Sequence, residues 1–305
     1  MNDSQILAID AGGTFFKSAI VSTEGTVFEN TARSIPIDSN GPKENILAAY
    51  KDIIGAALSF TKEHGVSLSG IGISTPGPFD YNAGTSLMQH KFKSIYGINL
   101  REFFSDKCGI PKTMPVEFLH DVHAFILGES WNGNAKGFAR VAGITLGTGI
   151  GFGCILDKHL LCNETGGPWL SLYKTPCGDG ILEDYASARG IISEYCRLKK
   201  TASTEITAKE LARRALENSD TGALEVYSKV GTLIGKSIAP ILAEKKIECI
   251  VIGGQIARSF QLMEQSLKNE LSDCGSLKKL AVAKNIDSAA LAGAALQLLK
   301  NERNN

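Results

Sequence analysis

The stretch Ile6 to Lys17, ILAIDAGGTFFK, is an apolar strand pattern that ends in an acid and runs straight into Gly-Gly-Thr. Glycine weakens a strand, so Gly12 and Gly13 belong where the backbone must bend sharply or let a ligand come close. The N–H groups freed at such a turn, with the Thr14 hydroxyl beside them, can cradle phosphate oxygens, and Asp10 can hold Mg²⁺ through water. An ordinary hairpin accounts for the same residues, because Phe16, Ala19, Ile20 and Val21 resume the strand pattern at once. The turn alone leaves both readings open.

The device recurs. Arg140 to Leu146 reads as a strand that breaks into Gly147-Thr148-Gly149 before a second strand, Gly151 to Leu156. Glu248 to Ile252 is a third strand, stopped by Gly253-Gly254, with a helix expected from near Ala257. Three strand-to-glycine turns alternating with helices point to an α/β nucleotide site, since each aims N–H groups at the carboxyl end of its sheet. Two strand–turn–strand units imply a duplicated half, with the ligand expected between the halves. Gly235-Lys236-Ser237 is not a Walker loop, because Val230 stands where its first glycine belongs and no strand precedes it.

Between these turns, Glu44 to His64 has helical periodicity closed by Gly65, and Leu68 to Ser74 is a strand stopped by Thr75-Pro76-Gly77-Pro78. The long loop Phe79 to Asn99 is a candidate substrate rim, offering Asn82, Gly84, His90 and Tyr96. Leu100 to Cys108 reads as a short helix, and Pro115 to Leu119 as a strand leading to His120-Asp121-Val122-His123. Asp121 is placed either to accept a proton from a substrate hydroxyl or to cap the helix that follows. His120 and His123 lack the further ligands of a metal site. From Gly190 the chain is mostly helical, and Ser288 to Asn301 is a helix rich in small residues, suited to close packing.

A chain of 305 residues suggests two domains. Equal numbers of basic and acidic residues, 32 each, leave no basic footprint for nucleic acid. No apolar run is long enough for a bilayer and MNDSQ lacks the basic and apolar regions of a secretory signal, so a cytoplasmic location is expected. Seven cysteines without close pairing read as reduced, mostly buried thiols.

Asp10 to Thr14, Gly72 to Pro78 (GISTPGP), His120 to Ala124 with Leu127-Gly128-Glu129, Leu146 to Gly151, Ile252 to Gly254 and Ala292 to Ala295 together resemble the ordered motifs of the ROK family of sugar kinases. The resemblance covers nearly the whole chain. It implies an α/β, two-domain actin-like ATPase (ribonuclease H-like) fold, each domain a mixed sheet flanked by helices. The expected division is a small domain over 1–118, with 288–305 packing back on it, and a large domain over 119–287. The implied activity is transfer of the γ-phosphoryl group of ATP to a hydroxyl of a hexose or hexose derivative, the 6-hydroxyl first. ATP and Mg²⁺ are the implied cofactors, a sugar is the implied partner, and a homodimer the implied assembly. Asp10, Gly12, Gly13, Thr14 and Lys17 would form the first phosphate loop; Gly147, Thr148 and Gly149 the second; Gly253 and Gly254 the adenosine contact. Asp121 would be the general base, with Gly77, Asn99, His120 and Glu183 also facing substrate.

Departures from the family pattern qualify this. His120 stands where a sugar-contacting Asn is usual. Gly166-Gly167-Pro168-Trp169-Leu170-Ser171 takes the place of Ala-Gly-Glu-x-Gly-His and lacks its Glu and His. The cysteine-rich zinc segment is reduced to Cys177 in Cys177 to Glu183, so no zinc site is expected. The alternatives are a sugar-binding ROK regulator, for which a first strand near residue 5 leaves no DNA-binding domain, and a kinase of this fold with a non-standard substrate.

Overall fold

β1 (Ser4–Ala11) is covered on both faces, and the alternation of its side chains decides what covers each. Leu7 and Ile9 join Phe16 and Ile20 in a core completed by Ile46, Tyr50, Ile53 and Ile54 of the first long helix. Ile6 and Ala8 point the other way and join Ala19 and Val21 against Leu291, Ala295, Leu298 and Leu299 near the end of the chain. A run of four apolar residues is thus a strand with two buried faces.

The computed structural model describes residues 4–201 and 206–304 and divides into two units. The first takes Met1–Lys136, Cys162–Trp169 and Ser288–Asn305. After β1 come β2 (Phe15–Ser22), β3 (Arg33–Pro36), α1 (Lys43–His64), β4 (Ser67–Thr75), the ribbon β5 (Phe79–Asp80) and β6 (Thr85–Ser86), α2 (Leu100–Cys108), β7 (Val116–His120) and α3 (Asp121–Asn132). The main sheet has the order β3-β2-β1-β4-β7. Its first three strands are antiparallel neighbours, whereas β4 runs parallel to both β1 and β7.

The second unit takes Gly137–Leu161 and Leu170–Asp287. It contains β8 (Arg140–Leu146), β9 (Ile150–Leu156), β10 (His159–Leu160), the ribbon β11 (Pro176–Cys177) and β12 (Gly180–Ile181), α4 (Glu183–Ala186), α5 (Ala188–Lys199), α6 (Ala208–Glu217), α7 (Thr221–Lys245), β13 (Cys249–Gly253), α8 (Glu264–Glu270) and β14 (Lys279–Val282). Its sheet order, β10-β9-β8-β13-β14, repeats that of the first unit strand for strand, with the same alternation of antiparallel and parallel pairs. The helix expected from Ala257 is instead a 3₁₀ stretch, Gln255–Leu262, broken at Ser259, and an α-helix begins only at Glu264. Ile256, Ala257 and Phe260 already supply its buried contacts, so the segment needs no long helical stripe.

α9 (Ala289–Asn304) belongs to the first unit and lies against α3 and β4. This moves the unit's limit from the expected residue 118 to Lys136 and gives it the greater share of the chain. α3 continues directly from β7 and its backbone touches that of α9. A Cβ built on Gly128 would come within 1.9 Å of Ala289 O, and one on Gly293 within 1.7 Å of Ala124 O. The seven cysteines are free, but only Cys154 and Cys249, within β9 and β13, and Cys274 are buried; Cys162 is exposed, lying past the end of the short β10 and not within a strand.

Replacing Gly293 by Ala should lower stability. Better helix propensity would contribute up to about 1 kcal/mol. The clash is with backbone on a neighbouring helix, which has to move, and overpacking of this kind costs about 1–3 kcal/mol or more. Urea unfolding should show a lower midpoint for Gly293→Ala; an unchanged or higher one would mean that α3 and α9 separate freely.

Candidate functional site

Because β1, β4 and β7 are parallel, their carboxyl ends share one edge of the first unit's sheet. The register sets Asp10 beside Ser74 and Thr75 beside His120. Ser74 Oγ donates to Asp10 Oδ1 at 2.9 Å. Lys17 lies opposite Asp10 across the hairpin, and the Gly12-Gly13-Thr14 turn closes it. A Cβ at Gly12 would stand 3.0 Å from Phe15 O, so the turn is tight enough to disfavour a side chain there.

Burial is the main influence on the Asp10 carboxyl. It raises the pKa to about 6, and the charge of Asp121 adds to the rise, against the Ser74 hydrogen bond and Lys17, which lower it. A cation beside Asp10 would remove that penalty, so a half-buried carboxylate of this kind suits a hard divalent ion such as Mg²⁺.

Asp121 is the first residue of α3. Its Oδ1 accepts the Val122 N–H at 2.7 Å and lies 2.7 Å from His120 Nδ1. A carboxylate oxygen only accepts, so this contact calls for a proton on Nδ1, whereas the Val122 N–H, 3.3 Å from the same nitrogen, calls for a lone pair there. Burial raises the Asp121 pKa, but the charge and hydrogen bond of His120, the Val122 N–H and the charge of Lys91 together outweigh it and hold the carboxyl below its ordinary value. Both readings of this residue therefore meet in one side chain: Oδ1 serves the helix start, while Oδ2 makes no hydrogen bond among the described residues. The side chain as a whole is 47% exposed, so these bonds do not close the carboxylate off.

In the second unit β8 ends at Leu146 and turns through Gly147-Thr148-Gly149 into β9. Gly147 O accepts the Ala188 N–H at 2.8 Å, which ties the turn to the start of α5. Glu183 Oε2 accepts the Ile150 N–H at 3.1 Å, and a Cβ on Gly149 would lie only 2.5 Å from that oxygen. Gly253 pairs with Thr145 in the parallel ladder. Gly254, at φ +81°, passes so close to Leu146 that a Cβ would fall 2.2 Å from its carbonyl oxygen. The two glycine turns and Glu183 are thus brought together at one edge of this sheet.

Other expected residues serve the fold or its rim. Gly77 lies beside His120, its built Cβ 3.5 Å from His120 Cδ2. Asn99 caps α2: its Oδ1 accepts the Glu102 N–H at 3.1 Å and its Nδ2 donates to Ala83 O at 3.0 Å. The residues just before the segment that departs from the family pattern bond to the long rim loop, Thr165 O accepting the Tyr81 N–H at 2.9 Å and Glu164 O accepting from Asn82 Nδ2 at 3.0 Å. Sequence reading missed Ser74 and Tyr81, whose hydroxyl donates to Thr75 O at 3.2 Å. The partner of Ser74 depends on strand register, for which one sequence carries no local signal.

The model of the ROK family matches residues 6–301. The chain belongs to the ROK family. Its relatives in the family divide by activity. The chain is similar to a glucokinase of Thermotoga maritima, 24% identical over 288 residues that cover 88% of this chain and 87% of that one. It is also similar to a xylose repressor of Bacillus spizizenii, 24% identical over 282 residues, 87% of this chain and 68% of the repressor. A solved ROK glucokinase of Streptomyces griseus, in complex with glucose and AMPPNP, superposes with a TM-score of 0.77 at 20% identity, over 97% of this chain and all of that one. The architecture of this ROK protein is the actin-like ATPase fold, two mixed sheets flanked by helices.

The raised pKa of Asp10 has a consequence for stability. With a folded value of about 6 against 3.8 for a free carboxyl, the folded state holds the proton more firmly. Stability therefore falls as pH rises from about 4 to about 6 and stays reduced above, by up to about 3 kcal/mol. Asp10→Asn should unfold at higher urea than wild type at pH 7.5, with the gain gone by pH 4. Wild type more stable than the variant at pH 7.5 would show that Asp10 is not strained by its charge.

Proposed function

We propose that this ROK protein is an ATP-dependent sugar kinase that moves the γ-phosphoryl group to a hydroxyl, the 6-hydroxyl first, of a hexose or hexose derivative. The observation that carries this reading is the pair of carboxyl groups at one sheet edge with opposite tendencies, Asp121 kept charged and Asp10 penalised for its charge. Two acids pushed apart in this way divide the work: one is ready to accept a proton, the other to meet a cation.

Asp121 takes the proton of the attacking hydroxyl on Oδ2 as the oxygen of that hydroxyl bonds to the γ-phosphorus and the bridging P–O bond breaks toward ADP. His120 holds Oδ1 and with it the plane of the carboxylate. The N–H groups of Gly12, Gly13 and Thr14 and those of Gly147, Thr148 and Gly149 receive phosphate oxygens, Lys17 adds positive charge near Asp10, and Gly253 with Gly254 leaves room for adenosine. Asp10 would hold Mg²⁺ through water, which supplies neutralisation of phosphate charge. Glu183, with Gly77 and His120, orients the sugar; Asn99 is spent on capping α2 and is left out of this set.

The identity of the sugar is tied to Gly166–Ser171, which lacks the Glu and His of the family pattern. An unmade hydrogen bond to a sugar hydroxyl costs about tenfold to a hundredfold in affinity. Glucose should accordingly be a weaker substrate than at least one of mannose, fructose, allose or an N-acetylated hexosamine. Steady-state kinetics across that panel, read by ADP release, tests both reaction and preference. A kcat/KM for glucose above all the others would refute the reading of the loop.

Asp121→Asn keeps the shape of the side chain and removes the proton acceptor. Its kcat on the best sugar should fall by about 10² to 10⁴ with the fold intact by circular dichroism. Full retention of kcat would remove Asp121 from the mechanism.

A further inference from the structure

The long segment between β4 and α2 brings a cation to the site that the reading above does not use. Two buried anchors bracket residues 89–91. On one side Leu87 N–H donates to Pro78 O at 3.2 Å, and Met88 is buried. On the other, Phe92 is buried with its ring centroid 5.9 Å from that of Phe16, and its N–H donates to Ser39 O at 2.6 Å. Ser94 Oγ adds a bond to Gly41 O at 2.8 Å.

The two feet of this arch stand on the site already described. Pro78 follows Gly77, which lies beside His120. Ser39 Oγ is the nearest atom to a Cβ built on Gly13, at 3.6 Å. The arch thus runs from the ends of β4 and β7 to the first glycine turn, across the edge that carries Asp10 and Asp121. Within it Gln89 and His90 are exposed and Lys91 is half-buried. Lys91 lies within electrostatic range of Asp121 and forms no ion pair among the described residues. Phe92 sits at φ +49°, a conformation that bulky L residues rarely adopt and that persists only where the surroundings impose it.

We propose that Lys91 is a specificity-determining residue, donating from its ammonium to a neutral oxygen of the sugar beside the hydroxyl that Asp121 deprotonates. The acceptor is neutral because an anionic substituent beside the attacking hydroxyl would meet the Asp121 carboxylate, which is kept charged, whereas an ammonium satisfies a hydroxyl or acyl oxygen without that repulsion. The proposal rests on the sugar-kinase reading and deepens it.

The test is a cycle between residue and ligand. Binding of the best sugar and of its monodeoxy analogues is measured by calorimetry for wild type and for Lys91→Met, with Lys91→Gln as a second variant should the first fold poorly. In wild type one deoxy analogue should bind about 10- to 100-fold more weakly than the parent sugar, and in the variants that difference should shrink to within about threefold. KM for the parent sugar should rise in the variants while kcat stays within about threefold. Equal deoxy penalties in wild type and variants, or a loss confined to kcat, would overturn the role of Lys91. Sugar binding without turnover would refute the kinase reading alone and leave this comparison intact, and absence of sugar binding by wild type would refute both.

Discussion

The parallel pairing of β4 with β1 and with β7 is the constraint on which the first unit's chemistry depends. It places Asp10, Ser74, Thr75 and His120 in adjacent rows at one edge, so the site is assembled by backbone register before any side chain is chosen. A one-residue slip would turn every side chain of a strand to its other face and leave Ser74 away from Asp10. Register is secured because β1 is buried on both sides: neither Ile6 and Ala8 nor Leu7 and Ile9 can be turned to water without loss. The close approach of α9 to α3 at Gly128 and Gly293 contributes to the same end, since it holds the last helix firmly over one of those faces.

That rigidity carries an electrostatic burden. A carboxylate at Asp10, half-buried and close to a second acid, raises the energy of the folded protein at neutral pH. Groups with perturbed pKa values tend to cluster where chemistry is done, because the environment that shifts them is also the one that makes a bound ligand's charge matter. Asp121 shows the complementary case. It lies at a helix start, accepts an N–H and has a histidine against one oxygen, all of which favour the charged form. The two acids differ through neighbours and not through residue type.

Much of this was legible in the chain. β1, its glycine turn, the second turn after β8 and the pair Gly253-Gly254 announced themselves because glycine after an apolar run has few other uses. The amphipathic helix α1 and the small-residue helix α9 were equally plain, and the repeat of the turn foretold two sheets of one topology. What stayed hidden depends on contacts between distant residues. Ser74 looked like an ordinary strand serine until register set it by Asp10. Asn99 looked available for substrate, yet its amide is divided between Glu102 and Ala83. The boundary near residue 118 followed the end of a strand, whereas the observed limit follows the packing of α3 on α9, which joins segments far apart in sequence.

The two sheets share an order but not a load. In the first unit the strand leading to the glycine turn ends in an acid; in the second, the equivalent strand ends in Thr145-Leu146 and has no carboxylate of its own there. The carboxylate near that turn comes from elsewhere, from Glu183 at the start of α4, and is already bonded to the Ile150 N–H. Charge explains the asymmetry. In the role proposed for these turns, an anion on the strand without a cation beside it would weaken the hold on phosphate, so a second acid at the place of Asp10 would add cost without use. One copy of the device keeps Asp10 and its cost. The other has no acid on its own strand, and the backbone contact of Gly254 with Leu146 packs the third glycine turn against the second.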